Sequence, residues 1–268
     1  MRWTALRLVA LLFLPLTILP ETSGAAEHAG TDDVTACVQR NLPHPDSIRA
    51  IRFTSRDRVG AKTVTAVKMF GRRRDHGLRE LFVRFLEPED IRGTALLFLE
   101  RESGNEVYFA STELEEPRKI TGSGRSANLF GTDISYEDFE RLEGMRPREP
   151  SQRQADETIR DRPVYVVETH PENSGYERIV SYIDQESCLP LRMKFYDSGG
   201  QQRKELTTNP RANLKHGPVW IPHTALMRDL RDLTTTHLMV DSHEQDDLLP
   251  DGIFSVEALQ ETVRVEAP

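Results

Sequence analysis

A strict alternation of apolar and polar residues between positions 189 and 195 constrains the fold most strongly. Arg192 and Lys194 alternate with apolar residues at every second position: Leu189, Leu191, Met193 and Phe195. Successive side chains of a strand point to opposite faces of a sheet, so the apolar set shares one face and the basic pair shares the other. This pattern is typical of an antiparallel sheet with one dry face and one wet face.

Comparable apolar runs recur from Ser47 onward and predict about ten strands joined mostly by short turns. Connections this short favour antiparallel pairing. Helices are expected only at residues 32–42, near residues 136–139, and over residues 254–259. The polar segment 143–156 is short for a linker, so we expect one domain over residues 27–268.

The first 26 residues have the pattern of a secretory signal peptide. A basic start with Arg2 and Arg7 precedes an apolar run over residues 8–20, which Pro15 interrupts, and small residues end the segment at Ala25 and Ala26. A membrane anchor is the alternative, but it needs about 20 apolar residues. We therefore expect cleavage after Ala25 or Ala26 and export of residues 27–268.

Composition excludes one class of partner and limits the core. The chain has 35 Lys and Arg against 43 Asp and Glu, a formal charge of -8. Proteins that bind nucleic acid rely on Lys and Arg to displace counterions, so we expect no nucleic-acid partner. Apolar residues make up 37% of the chain, below the usual share of roughly 45–50%. That shortage argues against a large internal cavity.

Cys37 and Cys188 are the two cysteines of the chain. In an oxidising compartment an even count favours a disulfide, while two separate buried thiols are the alternative. No Cys-x-x-Cys motif is present, so we expect a structural bridge and no redox centre. No cysteine–histidine spacing of the zinc type occurs either, which argues against a structural metal site.

No catalytic constellation stands out. The sequence lacks the Gly-x-Ser-x-Gly elbow of hydrolases that use a serine nucleophile. The Gly-rich stretch at 122–124 lacks the lysine of a phosphate-binding loop. One late cluster contains candidate metal ligands: His216, His223, His237, His243, Asp246 and Asp247. Exposed histidines in a polar tail are the favoured explanation, so we expect no enzyme activity, no cofactor and no metal.

Several segments resemble the LolA-like periplasmic family known as outer membrane lipoprotein-sorting proteins. The most specific is FGTDISYEDF at 130–139, preceded by FLEPEDIRGT at 85–94 and RKI at 118–120. Shorter matches follow at 182–184, 189–191, 195–197, 220–222 and 249–254. Together they cover roughly residues 46–261.

This resemblance implies a mainly β fold of the LolA or LolB type: a strongly curved antiparallel sheet, or half-open barrel, closed by a few helices. It also implies a periplasmic protein whose apolar concavity holds lipid or lipoprotein acyl chains. Some relatives are associated with inner-membrane exporters of the resistance-nodulation-division type, which makes such an exporter a candidate partner.

The motif residues are predicted to be structural. Gly93 and Gly131 suit tight backbone turns, and Arg92, Asp133 and Asp138 are expected to form a polar network at the lid, in preference to a role in ligand contact. Thr132 and Tyr136 belong to the same motif.

The function expected from alternation and resemblance together is a lipid or lipoprotein carrier that transfers its cargo between membranes. The predicted apolar lining consists of Leu81, Val83, Phe85, Leu191, Met193 and Phe195. The alternative is a non-catalytic periplasmic adaptor for an exporter or envelope protein, which would carry no ligand.

Overall fold

The computed structural model describes residues 30–41, 46–74, 77–145, 149–217, 219–245 and 249–266. The predicted signal peptide lies outside these residues. The helices are α1 (Asp32–Arg40), α2 (Tyr136–Leu142) and α3 (Val256–Glu266). The first eight strands are β1 (Ser47–Arg56), β2 (Lys62–Arg73), β3 (Arg79–Glu87), β4 (Ala95–Leu99), β5 (Glu106–Ala110), β6 (Arg118–Ile120), β7 (Ser151–Arg153) and β8 (Glu157–Ile159). The others are β9 (Arg162–Thr169), β10 (Arg178–Asp184), β11 (Pro190–Tyr196), β12 (Gln202–Thr208), β13 (Leu214–His216), β14 (Val219–Ile221), β15 (Thr224–Asp229) and β16 (Thr234–Gln245).

One large antiparallel sheet dominates the architecture. Within the described ranges it contains 14 strands in the order β6-β5-β4-β3-β2-β1-β16-β15-β12-β11-β10-β9-β7, with β8 also paired to β9. Strands β13 and β14 form a separate two-stranded hairpin. The sheet does not close, because β6 and β7 do not pair with each other. This confirms the predicted half-open antiparallel sheet with few helices.

The inner face of the sheet carries the main core. A single cluster of buried apolar side chains extends from Val107 on β5 to Ile179 on β10 and includes Tyr136 and Phe139 of α2. These strands lie far apart in the sheet order, so the sheet must wrap around α2 for their side chains to share one core. Burial of this face is the principal stabilising contribution, because apolar area removed from water dominates folding energetics.

Helix α2 begins where the sequence supplies a complete cap. The Ser135 hydroxyl accepts a hydrogen bond from the Asp138 amide at 3.1 Å, and the Asp138 carboxylate accepts one from the Ser135 amide at 3.0 Å. This reciprocal arrangement satisfies two amides that a helix start otherwise leaves unpaired. The predicted helical turn near residues 136–139 is therefore the first part of α2.

The outer face has two smaller apolar clusters. Phe254 and Leu259, the latter on α3, cover one made by Phe82, Leu97 and Leu99. The second lies on β9, β10 and β11 and contains Val164, Val166, Val180, Tyr182 and Leu191. The sheet is therefore partly apolar on both faces.

Leu191 lies on the outer face, contrary to the simple alternation. The pairing of β10 with β11 shifts register between Tyr182, opposite Arg192, and Ile183, opposite Pro190. Leu191 is the additional residue of this irregularity, and a β-bulge interrupts the normal alternation of side chains. Met193 and Phe195 lie beyond the bulge and belong to the inner core.

The predicted disulfide joins α1 to the sheet. Cys37 lies on α1 and Cys188 immediately precedes β11, with 5.4 Å between their Cα atoms. This confirms the bridge over two separate thiols. The bond holds α1 against one end of the inner face, where the cavity described below is found.

Candidate functional site

An apolar cavity of about 280 Å³ lies between the inner face and the elements that cover it. Its floor comes from strands on both sides of β16, which the sheet brings together despite wide separation in sequence. The apolar floor residues are Ile51, Ile179, Ile183, Met193, Leu206, Ala225, Leu238 and Val240. Because each is an inward position of its strand, the period of two in the sequence produces a continuous apolar surface.

Three segments form the walls. Val38 of α1 contacts the space from one side, Phe139 and Leu142 of α2 from another, and Trp220 and Ile221 of β14 from a third. These wall residues lie outside the sheet that forms the floor. The positions of two helices and one hairpin therefore determine the shape of the cavity.

Asn41, just after α1, ties two of these walls together. Its side-chain amide donates to the Trp220 carbonyl at 3.0 Å and its side-chain oxygen accepts from the Trp220 amide at 2.6 Å. These two hydrogen bonds resemble those between the backbones of neighbouring strands. With the Cys37–Cys188 bond, it fixes α1 to both the hairpin and the sheet.

A buried charged cluster occupies the part of the cavity wall beneath the end of α2. Arg49 of β1 contacts Glu143 at 2.5 Å, and Arg79 of β3 lies 3.7 Å from the same carboxylate. Arg79 also donates to the Glu143 carbonyl, which satisfies a backbone acceptor at the helix end. Both arginines and Glu143 line the cavity.

Burial and charge act in opposite directions on this cluster. Burial lowers the pKa of Arg79 to about 10, although Glu143 favours its charged form. Burial also opposes ionisation of Glu143, but Arg49 and Arg79 outweigh it and hold the pKa of this carboxyl below its ordinary value. At neutral pH the cluster therefore contains two cations around one anion.

Arg141 of α2 completes the charged wall and has carboxylate partners of its own. It lies 3.2 Å from Glu137 and 2.6 Å from Glu149. Burial opposes ionisation of Glu137, yet hydrogen bonds from Ser174 and the charge of Arg141 lower its pKa. Glu149 and Arg141 line the cavity, whereas Glu137 is not among the lining residues.

Of the six residues predicted to line a ligand site, Met193 lines the cavity and the other five do not. Leu81, Val83, Phe85 and Phe195 are inward-facing, as predicted, but they lie in filled core. The ring of Phe85 packs 4.6 Å from that of Phe130, which occupies the space above it. Leu191 lies in the outer cluster because of the bulge.

Asp133 forms one of two separate polar networks in the motif at 130–139. Its carboxylate accepts hydrogen bonds from Thr234 and, at 2.7 Å, from Thr236, both on β16. Thr132 turns the chain locally, since its hydroxyl accepts from the Ile134 amide at 3.2 Å. Gly131 has a φ of +71°, which favours glycine. This network joins the segment before α2 to the sheet.

The second network surrounds Asp138. Lys204 and the Tyr176 hydroxyl each donate to its carboxylate at 3.1 Å. Burial and the charge of Asp138 raise the pKa of Tyr176, and burial raises the pKa of Tyr136. Neither Asp133 nor Asp138 lines the cavity, and the structural role of the motif residues stays a prediction.

Arg92 does not join these networks, which corrects the predicted lid network. Its guanidinium contacts Glu89 at 2.6 Å on the exposed side of the turn that follows β3. The neighbouring Gly93 has a φ of +78°, so this glycine suits the tight backbone expected of it. The Arg92–Glu89 pair is exposed and adds little to stability.

The described residues contain neither a candidate metal site nor a membrane-spanning helix. Among the residues for which positions are described, no group of three or more His, Cys, Asp or Glu side chains is arranged to hold a metal ion. No helix in the described part of the chain has the length and apolar character needed to cross a membrane. Asp246 and Asp247 of the late histidine cluster lie outside those residues.

The charged wall was missed by reasoning from sequence. Arg49 and Glu143 are 94 positions apart, and nothing in either local sequence points to the other. The local signal is Arg49 itself, a charged residue that shares an inward strand face with the apolar Ile51 and Phe53. Such a residue predicts a buried partner without identifying it.

The comparisons with known proteins agree with this geometry. A family model described as "Uncharacterized protein" matches residues 77–261, and no curated protein matches the sequence significantly. A domain described as an outer membrane lipoprotein-sorting protein, from Vibrio parahaemolyticus, is 21% identical with a TM-score of 0.79, over 87% of this chain and 99% of that one.

Two further solved structures share the fold. A DUF1329 family protein from Desulfovibrio piger is 21% identical with a TM-score of 0.77, over 85% of this chain and 96% of that one. A LolA superfamily protein from Nitrosomonas europaea is 17% identical with a TM-score of 0.65, over 83% and 96% of the two chains. The three solved structures share their fold with this chain, and the chain belongs to the family whose model covers residues 77–261.

Proposed function

We propose that this protein is a periplasmic carrier that binds one acyl chain of a lipid or lipidated protein and transfers it between membranes. The observation that carries the proposal is the apolar cavity between the inner face and α1, α2 and β14. The name of the Vibrio parahaemolyticus neighbour, which refers to lipoprotein sorting, supports the same class of cargo. The signal-peptide pattern of residues 1–26 supports export.

The cavity size favours a single chain. Its volume of about 280 Å³ lies just below the usual range of ligand pockets, roughly 300–1,000 Å³. This agrees with the scarcity of apolar residues in the sequence, which must form both core and ligand wall. A phospholipid with two chains would need more space or a displaced α2.

The free energy expected from burying part of one acyl chain is compatible with transfer of that chain between membranes. Each buried methylene contributes about 0.8 kcal/mol, so eight would contribute about 6 kcal/mol before the cost of association. A single acyl chain also binds membranes only marginally and reversibly. A chain held by this cavity can therefore exchange with a bilayer, and movement of α2 away from the floor would release it.

The proposal is tested by mass spectrometry of lipids extracted from protein purified without detergent. The wild type is expected to retain acyl species. Leu238→Glu places a charge at a half-buried position of the cavity floor and should abolish retention. Leu230→Glu is the matched control, because Leu230 is 44% exposed and does not line the cavity.

Absence of acyl species from the wild type, or equal retention by both variants, would contradict the carrier proposal. The first result, combined with co-purification of an envelope protein, would favour the adaptor role. An inner-membrane exporter as the recipient or donor stays a prediction, for which the same purification from native membranes provides the test.

A further inference from the structure

We propose that the cavity selects amphiphiles whose head group is anionic, a carboxylate or a phosphate attached to one acyl chain, over neutral ones of equal length. This inference rests on the proposed function and specifies its substrate class. It starts from the buried arginines at the end of α2.

The charges on the cavity wall are unbalanced. Three arginines and two glutamates line it, which leaves a formal charge of +1, in a chain whose total charge is -8. Arg141 has Glu137 and Glu149 as partners. The surplus therefore lies with Arg49 and Arg79, which share the single carboxylate of Glu143.

Outside the cavity lining, Arg79 has a further carboxylate neighbour. Glu100 favours the charged form of Arg79 and Arg73 opposes it, and Glu100 accepts a hydrogen bond from the Arg79 backbone amide at 3.0 Å. Glu100 does not line the cavity, so the lining itself still has one more arginine than carboxylates. An anion that enters the cavity would complete the pairing of two arginines with two negative groups.

The pair has the properties of an anion site. The side chains of Arg49 and Arg79 are only 9% and 5% exposed, so water screens them weakly and their attraction for an anion is stronger than at the surface. The planar guanidinium matches carboxylate and phosphate groups and binds them in a forked geometry. A neutral head group gains none of this charge-assisted interaction.

The arginines are placed correctly for an amphiphile. Arg49 and Ile51 are two residues apart on β1 and both line the cavity, so they lie about 7 Å apart on the same face. Ile51 in turn pairs with Val240 of β16, another residue of the apolar floor. A head group at Arg49 would therefore continue directly into an acyl chain lying on that floor.

A purely structural role for these arginines is the competing explanation, since Arg79 satisfies the carbonyl of Glu143. The two explanations predict opposite effects for one substitution. Glu143→Gln removes the carboxylate that competes with the ligand, so it should tighten binding of an anionic amphiphile. If the arginines only hold α2 in place, the same change should loosen the wall and weaken binding of every ligand.

The experiment is calorimetric titration of the full chain at pH 8 with hexadecanoic acid, hexadecyl phosphate and hexadecanol. For the wild type we expect at least one of the two anions to bind about tenfold more tightly than the alcohol. Arg49→Gln should remove about that factor, and Glu143→Gln should strengthen anion binding severalfold. Both effects are read as the ratio of the anion affinity to the hexadecanol affinity within each variant. The anion bound more tightly identifies the head group.

Arg72→Gln is the matched control, because its side chain is also 9% exposed but it pairs with Glu80 and Asp251 away from the cavity. It should leave the preference for anions unchanged. Equal binding of alcohol and both anions by the wild type would overturn this inference while leaving the carrier proposal intact. Binding of none of the three would overturn both. Should Arg49→Gln fail to fold, the wild-type comparison and Glu143→Gln still decide between the explanations.

Discussion

Lys204 of β12 donates to the carboxylate of Asp138 on α2 at 3.1 Å, with side-chain exposures of 1% and 0%. This ion pair joins the inner face of the sheet to the helix that covers it. Removal of one partner from a buried pair leaves an uncompensated charge and costs about 3–5 kcal/mol. We therefore expect Lys204→Met to lower the free energy of unfolding by about that amount in urea titrations.

A double-mutant cycle provides the control for this prediction. The double variant Lys204→Met with Asp138→Asn removes both charges, and it should be more stable than Lys204→Met alone. Lys62→Met replaces an exposed lysine on β2 and should change the free energy of unfolding by less than about 0.5 kcal/mol. Additive effects of the two core substitutions would show that the pair is not coupled.

The disulfide is expected to stabilise both the fold and the cavity. It closes a loop with a sequence separation of 151, for which the chain-entropy model gives on the order of 5 kcal/mol. Reduction should therefore lower the melting temperature and diminish lipid retention, because Cys188 and Val38 both line the cavity. Calorimetry with and without reductant measures the shift, and the Cys37→Ser/Cys188→Ser variant should not respond to reductant.

Asp184 should contribute to loss of stability in acid. Two nitrogens of Arg162 donate to its carboxylate at 2.7 Å, and Ser187 donates as well. Burial opposes ionisation, but these contacts prevail and hold the pKa of Asp184 below its ordinary value. The unfolded state therefore binds the proton more readily, and stability should fall as the pH drops from about 4 toward the lower folded pKa.

Asp184→Asn tests this pH dependence. The variant should be less stable at pH 7 by about 1–3 kcal/mol, and its stability should decline less steeply between about pH 4 and pH 2. Thermal unfolding across this range gives the comparison. Parallel pH profiles for the two proteins would exclude Asp184 as a source of acid sensitivity.

Asp133 is expected to hold the segment before α2 onto β16. Its carboxylate accepts hydrogen bonds from Thr234 and Thr236. Asp133→Ala should lower the free energy of unfolding by about 1–3 kcal/mol, because the buried threonine hydroxyls lose their acceptor. Hydrogen exchange should show faster opening at residues 130–139, whereas protection of β9 and β10 should be unaffected. Uniform loss of protection would contradict this local role.

Local sequence signals were sufficient for several elements. Alternation along β11 correctly placed Met193 and Phe195 on one face, and the helical turn predicted near residues 136–139 is the start of α2. The pairing of Cys37 with Cys188 followed from their number and the expected compartment. Each of these depends on short-range geometry or on simple chemistry.

The cavity could not be predicted in the same way. Alternation identifies inward side chains but not what lies above them: Phe130 fills the space over Phe85, whereas Met193 borders an unfilled cavity. The β-bulge at Leu191 places this side chain on the outer face, and the apolar–polar pattern of the sequence gives no indication of the bulge. The Arg49–Glu143 contact joins residues distant along the chain, so it requires the three-dimensional fold.

The most direct test of the account is a crystal structure of the protein with hexadecanoic acid brominated at its terminal carbon. We expect an anomalous bromine peak inside the cavity formed by Met193, Leu206 and Leu238. A bromine peak found only outside this cavity, or none in crystals grown with saturating ligand, would contradict the claim that the cavity holds an acyl chain.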